Sequence, residues 1–274
     1  MLKINLMLNI VIRGGAYMLL LGRTQMVYTC SYEDSIRRLM KCGFDGVEAG
    51  VFDRDFHVRD EFFSDGFGRR MRDIMASCGV KGYSVSAHVD FTECEEKFRL
   101  VYDAIAVAGE MEAPLLIING AIKKETEAFK RQWERQIRDL DRLCRRAQEM
   151  GILLALEFEP GFVIDSTDLM LRAFSEVGSP VLKANLDIGH VFLCDPDPMD
   201  AIARCKGLIA HAHLENMKTG VHNHLVPYEG DMDLPAYISA LRDAGFDGMA
   251  SFDAYQYDYE AVAEKTIAYF KGIF

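Results

Sequence analysis

Apolar and polar positions follow two rhythms along this chain, short β-rich runs and longer stretches of helical period. The runs lie at Thr24–Tyr28, Asp45–Ala49, Gly82–Ala87, Pro114–Ile118, Ile152–Phe158, Val181–Asp187, Leu208–His213 and Met249–Asp253. Between them, residues 32–41, 61–78, 93–110, 122–149, 166–177, 197–204, 234–244 and 257–272 carry apolar side chains at helical spacing. Ser31 stands as an N-cap before the first helix. Gly43, Gly79, Gly151, Gly178 and Gly245 stand where helices should end. Unbroken apolar runs such as that starting at Ile152 suit parallel strands buried on both faces. Eight strand–helix units in about 250 residues predict one α/β domain, a (β/α)8 TIM barrel over residues 24–274. The alternative, a doubly wound open sheet, has neither a GxGxxG nor a GxxxxGK[ST] phosphate loop to support it.

Residues 1–23 fall outside this alternation and read as a short N-terminal extension. Lys3 and the run Ile4–Ile12 loosely imitate a signal peptide, but Asn5 and Asn9 interrupt the run and Arg13 follows it. The extension is expected to be an extra strand, or to reflect a misassigned start with Met18 as the natural one. No run of 18 apolar residues occurs, so no membrane span is predicted.

Charge narrows the partners. With 31 Lys+Arg against 42 Asp+Glu, the net charge of −11 opposes nucleic acid, which needs a cationic face, and anionic membranes. The 7 cysteines are odd in number, scattered and without a CxxC pair. They form neither a disulfide framework nor a thiolate zinc site, and a cytoplasmic location is expected. The many charges at 122–149 interleave in sign, as on a solvated outer helix.

In a parallel barrel the chemistry collects at the carboxyl ends of the strands. Polar residues fall there repeatedly: Glu48 on the second strand, His88 after the third, Glu157 and Glu159 on the fifth, Asp187 and His190 on the sixth. His211, His213 and Glu215 follow on the seventh, His222 and His224 in the next loop, and Asp253 on the eighth. All histidines are expected at strand ends or in loops, none in a helix, and His57 reads as incidental. Carboxylates at buried strand ends are costly unless paired. Glu157, Asp187, His213 and Asp253 on four consecutive strands would repel one another without a cation, so a divalent metal is predicted. Mixed carboxylate and imidazole ligation suits Mn, Co, Mg or Zn.

At these residues the sequence resembles the xylose isomerase-like barrel superfamily, which includes sugar phosphate isomerases/epimerases, ketose 3-epimerases, inosose dehydratase and the endonuclease IV branch. The matching segments are G-F-D-G-V-E at 43–48, L-A-L-E at 154–157, E-V-G-S-P at 176–180, N-L-D-I-G-H at 185–190, H-A-H-L-E-N at 211–216, P-Y-E-G-D-M-D-L at 227–234 and A-G-F-D-G at 244–248. The resemblance implies one metal on Glu157, Asp187, His213 and Asp253, with room for a second at His190, His222 and His224. Asp253 is one methylene shorter than the glutamate usual at its place, and the arginine that the epimerases carry after the seventh strand is missing, with Lys218 and Thr219 in that region.

The expected activity is isomerisation or epimerisation of a small sugar, sugar phosphate or cyclitol through an enediolate. Glu157 would remove the proton and Asp253 return it, with Glu48, His88, His190 and His224 contacting substrate. An inosose-dehydratase-like lyase is the alternative. An endonuclease IV-like phosphodiesterase is disfavoured by the charge, by Asn119 where that branch has a histidine, and by His222 where it has an aspartate. A non-catalytic sugar-binding barrel would bind ligand without proton exchange. The superfamily's frequent dimers and tetramers imply a homo-oligomer.

Overall fold

The structure, a computed structural model, describes residues 18–274. Of the N-terminal extension expected over 1–23, residues 1–17 lie outside this range.

Eight parallel strands close a barrel: β1 (Leu19–Arg23), β2 (Gly46–Gly50), β3 (Gly82–Ala87), β4 (Leu115–Ile118), β5 (Leu153–Leu156), β6 (Leu182–Asp187), β7 (Ile209–Leu214) and β10 (Met249–Phe252). Around them run α1 (Tyr32–Cys42), α2 (Phe67–Ser77), α3 (Glu95–Glu110), α4 (Phe129–Met150), α5 (Thr167–Val177), α6 (Ile188–Cys194), α7 (Pro198–Arg204), α8 (Leu234–Asp243) and α9 (Tyr259–Ile273). The predicted barrel is therefore the observed one, and seven of its strands overlap their predicted runs.

The first strand is the exception. It lies at Leu19–Arg23, upstream of the predicted run at 24–28, so the barrel begins before residue 24. Leu20 and Leu21 are fully buried, and β1 closes the ring by pairing Leu19 with Met249 and Leu21 with Gly46. Thr24–Met26 forms a single 3-10 turn. Its polar side chains serve the loops: Thr24 Oγ1 accepts from the Gly50 N–H at 3.0 Å. Tyr259 of α9 stitches the closure, donating to the Phe252 carbonyl and accepting from the Arg23 N–H.

Local signals explain most helix ends. Ser31 Oγ accepts from the Asp34 N–H at 3.1 Å, and all five glycines expected to end helices have positive φ, between 63° and 98°. Helix α4 starts at Phe129 rather than 122. The Gln132 side chain bonds the backbone of Lys124 and Glu127, which holds the preceding segment as a folded loop. Exposed pairs such as Lys130–Glu134 line the outer face of α4, while Trp133, Leu140, Leu143 and Ala147 are buried.

One element was not anticipated. After β7 the chain forms an antiparallel hairpin, β8 (Asn216–Lys218) and β9 (Val221–Leu225), projecting from the carboxyl-end face. Asn216 anchors its base: the amide donates to the Pro227 carbonyl, and Oδ1 accepts from the Met217 and Met232 N–H groups. Among the described residues no helix is long and apolar enough to cross a membrane.

Candidate metal centre and active site

The site is built around His213 at the end of β7. Its ring is fully buried, and Nε2 donates to Glu48 Oε2 at 3.0 Å. That bond turns Nδ1 toward three carboxylates: Glu157 Oε2 at 3.2 Å, Asp253 Oδ2 at 3.6 Å and Asp187 Oδ2 at 3.9 Å. Neither His213 Nδ1 nor Asp187 Oδ2 has a hydrogen-bond partner. Buried polar atoms are nearly always satisfied, so two orphans aimed at one point mark a place for a cation. A histidine oriented from behind by a carboxylate is the usual support of a metal ligand. Two groups here could hold a metal ion, Asp187, Glu215, His224 and Asp253 in one and His88, Glu157 and His213 in the other.

The electrostatics agree. Five carboxyl groups, Glu48, Glu157, Asp187, Glu215 and Asp253, are each at most 3 % exposed. Burial opposes ionisation of Glu157, yet His213 and His88 hold it well below the usual carboxylate range. Burial also disfavours a charged His213, but Glu157 and Glu48 raise it well above an ordinary histidine. Glu215 is pushed up, first by burial and then by Asp187 and Asp253.

Asp187 and Glu157 also have structural tasks. Asp187 Oδ1 caps α6 by accepting from the His190 N–H at 2.8 Å, while Oδ2 faces the site. Glu157 Oε2 accepts from Asn185 Nδ2 at 2.7 Å and from His88 Nε2 at 3.0 Å, leaving Oε1 for the cavity. Asn185 Oδ1 in turn accepts from His211 Nδ1. His211 lies one layer deeper and burial lowers it to about 3, so it is a neutral structural ring.

Sequence reasoning missed Arg23. Its side chain is fully buried at the end of β1. Nε donates to Glu48 Oε1 at 2.9 Å, Nη2 donates to Gln25 Oε1 at 2.8 Å and contacts His88 Nδ1 at 3.3 Å, and Nη1 pairs with Asp253 Oδ1. Arginine only donates, so His88 Nδ1 accepts and its Nε2–H points at Glu157. Arg23 thus ties the support of His213 to Asp253. Asn185 and Tyr255 were missed too; the Tyr255 hydroxyl accepts from Arg23 Nη1 at 3.4 Å.

The residues expected to touch substrate divide. Glu48 does not reach the cavity: it is buried behind His213 with both oxygens engaged, placed to orient that ring. His88 lines the cavity, but Glu157 and Arg23 take its two nitrogens. His190 also lines it, and sits in the first turn of α6 rather than in a loop. Its Nδ1 donates to the Phe158 carbonyl at 2.8 Å, which leaves Nε2 facing His222 Nε2 at 3.0 Å. His224 Nε2 lies 3.1 Å from the same atom, and its Nδ1 lies 3.6 Å from Asp253 Oδ2. The three imidazoles form the predicted second cluster, and burial with its two neighbours lowers His222 to about 4. His57 remains at the surface, beside Asp53. Above this floor opens a cavity of about 730 Å³.

A closed parallel barrel with a carboxylate–imidazole centre at the carboxyl ends of its strands defines the class. The chain belongs to the xylose isomerase-like TIM barrel family, whose sequence model matches residues 36–273. Among curated proteins, it is 27 % identical over 124 residues to D-psicose 3-epimerase of Enterocloster bolteae, covering 44 % of this chain and 40 % of that protein. It is 25 % identical over 142 residues to inosose dehydratase of Lacticaseibacillus casei, covering 46 % and 48 %. These matches span less than half of either relative's length. A longer match, 23 % identical over 232 residues and covering 81 % and 79 %, is with 3-dehydroshikimate dehydratase of Bacillus anthracis. Solved structures of the same fold include a D-tagatose 3-epimerase-like protein (TM-score 0.79, 16 % identity, 93 % and 98 % covered). Another is the IolI protein with a bound zinc atom (TM-score 0.77, 17 % identity, 93 % and 96 % covered).

Proposed function

We propose that this protein is a divalent-metal-dependent isomerase or epimerase acting on a small sugar, sugar phosphate or cyclitol through an enediolate. The observation that supports this most is the split role of Glu157, whose Oε2 is fixed by Asn185 and His88 while Oε1 is left for the cavity. A carboxylate so held is positioned for general-base work. Glu157, Asp187, His213 and Asp253 would hold the ion, which when bound supplies Lewis acidity to a carbonyl. Glu157 Oε1 removes the proton next to that carbonyl. His190 Nε2 and His224 face the same cavity and orient hydroxyls, or together with His222 hold a second cation. In the epimerase form Asp253 returns the proton on the other face.

The Arg23–Asp253 ion pair favours a second reading, an inosose-dehydratase-like lyase. With Oδ1 paired to Arg23, Asp253 offers the cavity only Oδ2, which lies 3.6 Å from His213 and would also hold the ion. A single base suffices for proton removal followed by loss of a β-hydroxyl.

Incubation of candidate ketoses and inososes in deuterated water, read by mass spectrometry, tests both. Isomerisation or epimerisation changes mass only by the label, and dehydration removes one water. Glu157→Gln is expected to lower label uptake about 10²–10⁴-fold, the usual range for loss of a general base. Undiminished uptake in that variant overturns the role of Glu157.

A further inference from the structure

One wall of the cavity is unlike its floor. It is built on two isolated antiparallel bridges outside the barrel, Phe52 with Val58 and Ile122 with Phe162. The first closes a tight loop in which Asp53 Oδ1 accepts from the N–H groups of Asp55 and His57. The second is held by Lys123 N–H on the Gly161 carbonyl and by Val163 N–H on the Ala121 carbonyl. Phe56, at the tip of the first loop, is 56 % exposed, and Ile122 is 51 % exposed. Both line the cavity, with Val58 and Phe162 beside them. Exposed apolar side chains standing singly are ordinary, but a cluster at a cavity mouth is the mark of a binding surface.

Phe56 adds a second observation. Its backbone has φ 62°, the left-handed region that a non-glycine residue adopts only under constraint. Such strain is retained where it serves a site. Here it projects an aromatic ring outward, where burial in the protein does not reward it. The loop is also wired to the floor: Gln25 Nε2 donates to the Asp53 carbonyl, and Gln25 Oε1 accepts from Arg23. The cavity, at about 730 Å³, lies high in the roughly 300–1,000 Å³ range that encloses drug-sized ligands. That is more space than a bare hexose fills.

We propose that this wall is a second subsite, and that the substrate is a sugar or cyclitol carrying a flat apolar substituent, an aryl group, which packs against Phe56 and Ile122. The inference rests on the carbohydrate reading above, with the polyol end on Glu157 and the histidines.

The test is calorimetric binding to the full, purified chain of matched phenyl and methyl β-glycosides of D-glucose, D-galactose and D-xylose. In at least one pair the phenyl compound is expected to bind about tenfold tighter. Phe56→Ala and Ile122→Ser should bring it down to the methyl compound's affinity. Phe56→Gly relieves the backbone constraint, so it should lose the aryl preference while raising the melting temperature. Equal affinities within every pair, no binding by any of them, or a preference that survives both substitutions overturns the proposal. So does a dimer that Phe56→Ala dissociates, since a second copy would then be the occupant. A wild-type chain that exchanges substrate protons but shows no aryl preference sinks this inference alone, and one that shows the preference without proton exchange sinks the catalytic reading alone.

Discussion

Replacing Arg23 by methionine keeps a long side chain and removes the one guanidinium at the centre of the site. Two carboxylates then lose their partner, Glu48 with no exposure and Asp253 with 2 %. Breaking a buried ion pair from one side costs about 3–5 kcal/mol, because the remaining charge stays buried and uncompensated. The two pairs share one cation and His213 still donates to Glu48, so the cost of one pair is the fitting figure. At about 2–4 °C per kcal/mol for a chain of this size, the melting temperature should fall by roughly 6–20 °C. Calorimetry in chelator reads this directly. With saturating Mn or Zn the drop should be smaller, because the ion gives Asp253 a new counter-charge. Arg23→Lys, which keeps charge but not the planar fork, should fall between the two. A drop of less than about 2 °C in chelator would mean that the guanidinium does not carry the charge balance argued here. An equal drop with and without metal would separate Asp253 from the ion.

Gly189→Ala should be unusually harmful, since a Cβ there would clash with Glu215 Oε1 and Met217 Cε. A stability loss of about 1–3 kcal/mol in denaturant titration is expected, with weaker metal binding; wild-type values for both would contradict the packing of α6 on Glu215. His222→Ala should remove a second equivalent of metal, where one is bound, and leave the first, as read by elemental analysis after dialysis; loss of both equivalents would show one shared centre. Asp45 accepts from Lys81 and Lys271 and from the Leu20 N–H, and although burial opposes ionisation these partners hold its carboxyl below the usual value. Its folded value lies below its unfolded one, so the stability it contributes is present at neutral pH and is lost as pH falls through the acid range. Asp45→Asn should therefore destabilise at pH 7 by about 1–2 kcal/mol, with a gap that narrows on acidification; a gap that does not change with pH would refute this.

Much of the fold was legible because a strand buried on both faces announces itself as an unbroken apolar run, and α1, α4 and α5 show their buried stripe. The first strand escaped because its short apolar run, Ala16–Leu21, stands just after the N-terminal apolar stretch and reads with it as extension. Helix α6 is too short, at 7 residues, to display a helical period, so His190 read as loop. The hairpin was hidden for the opposite reason: Val221–Leu225 has no apolar face to reveal a strand. In the site, Glu157 and His213 stood out as charged or polar ends of apolar strands. Arg23 and Asn185 did not, because their partners lie on neighbouring strands that the sequence separates by 25 to 230 residues. The sign of the charge at Glu48 could be read, but not which way it faces.

The hairpin gives the centre two owners. Glu157, Asp187, His213 and His190 belong to the barrel and its first flanking turn, whereas His222 and His224 ride on β9. Nothing in the barrel's closure depends on β8 and β9, which pair only with each other. The outer part of the hairpin, residues 218–225, is therefore an exchangeable cassette. Lengthening, shortening or replacing it would change how many imidazoles reach the mouth while the inner ligands keep their places. Variation in that one insert gives a lineage of such barrels a route to new ion stoichiometry without rebuilding the core.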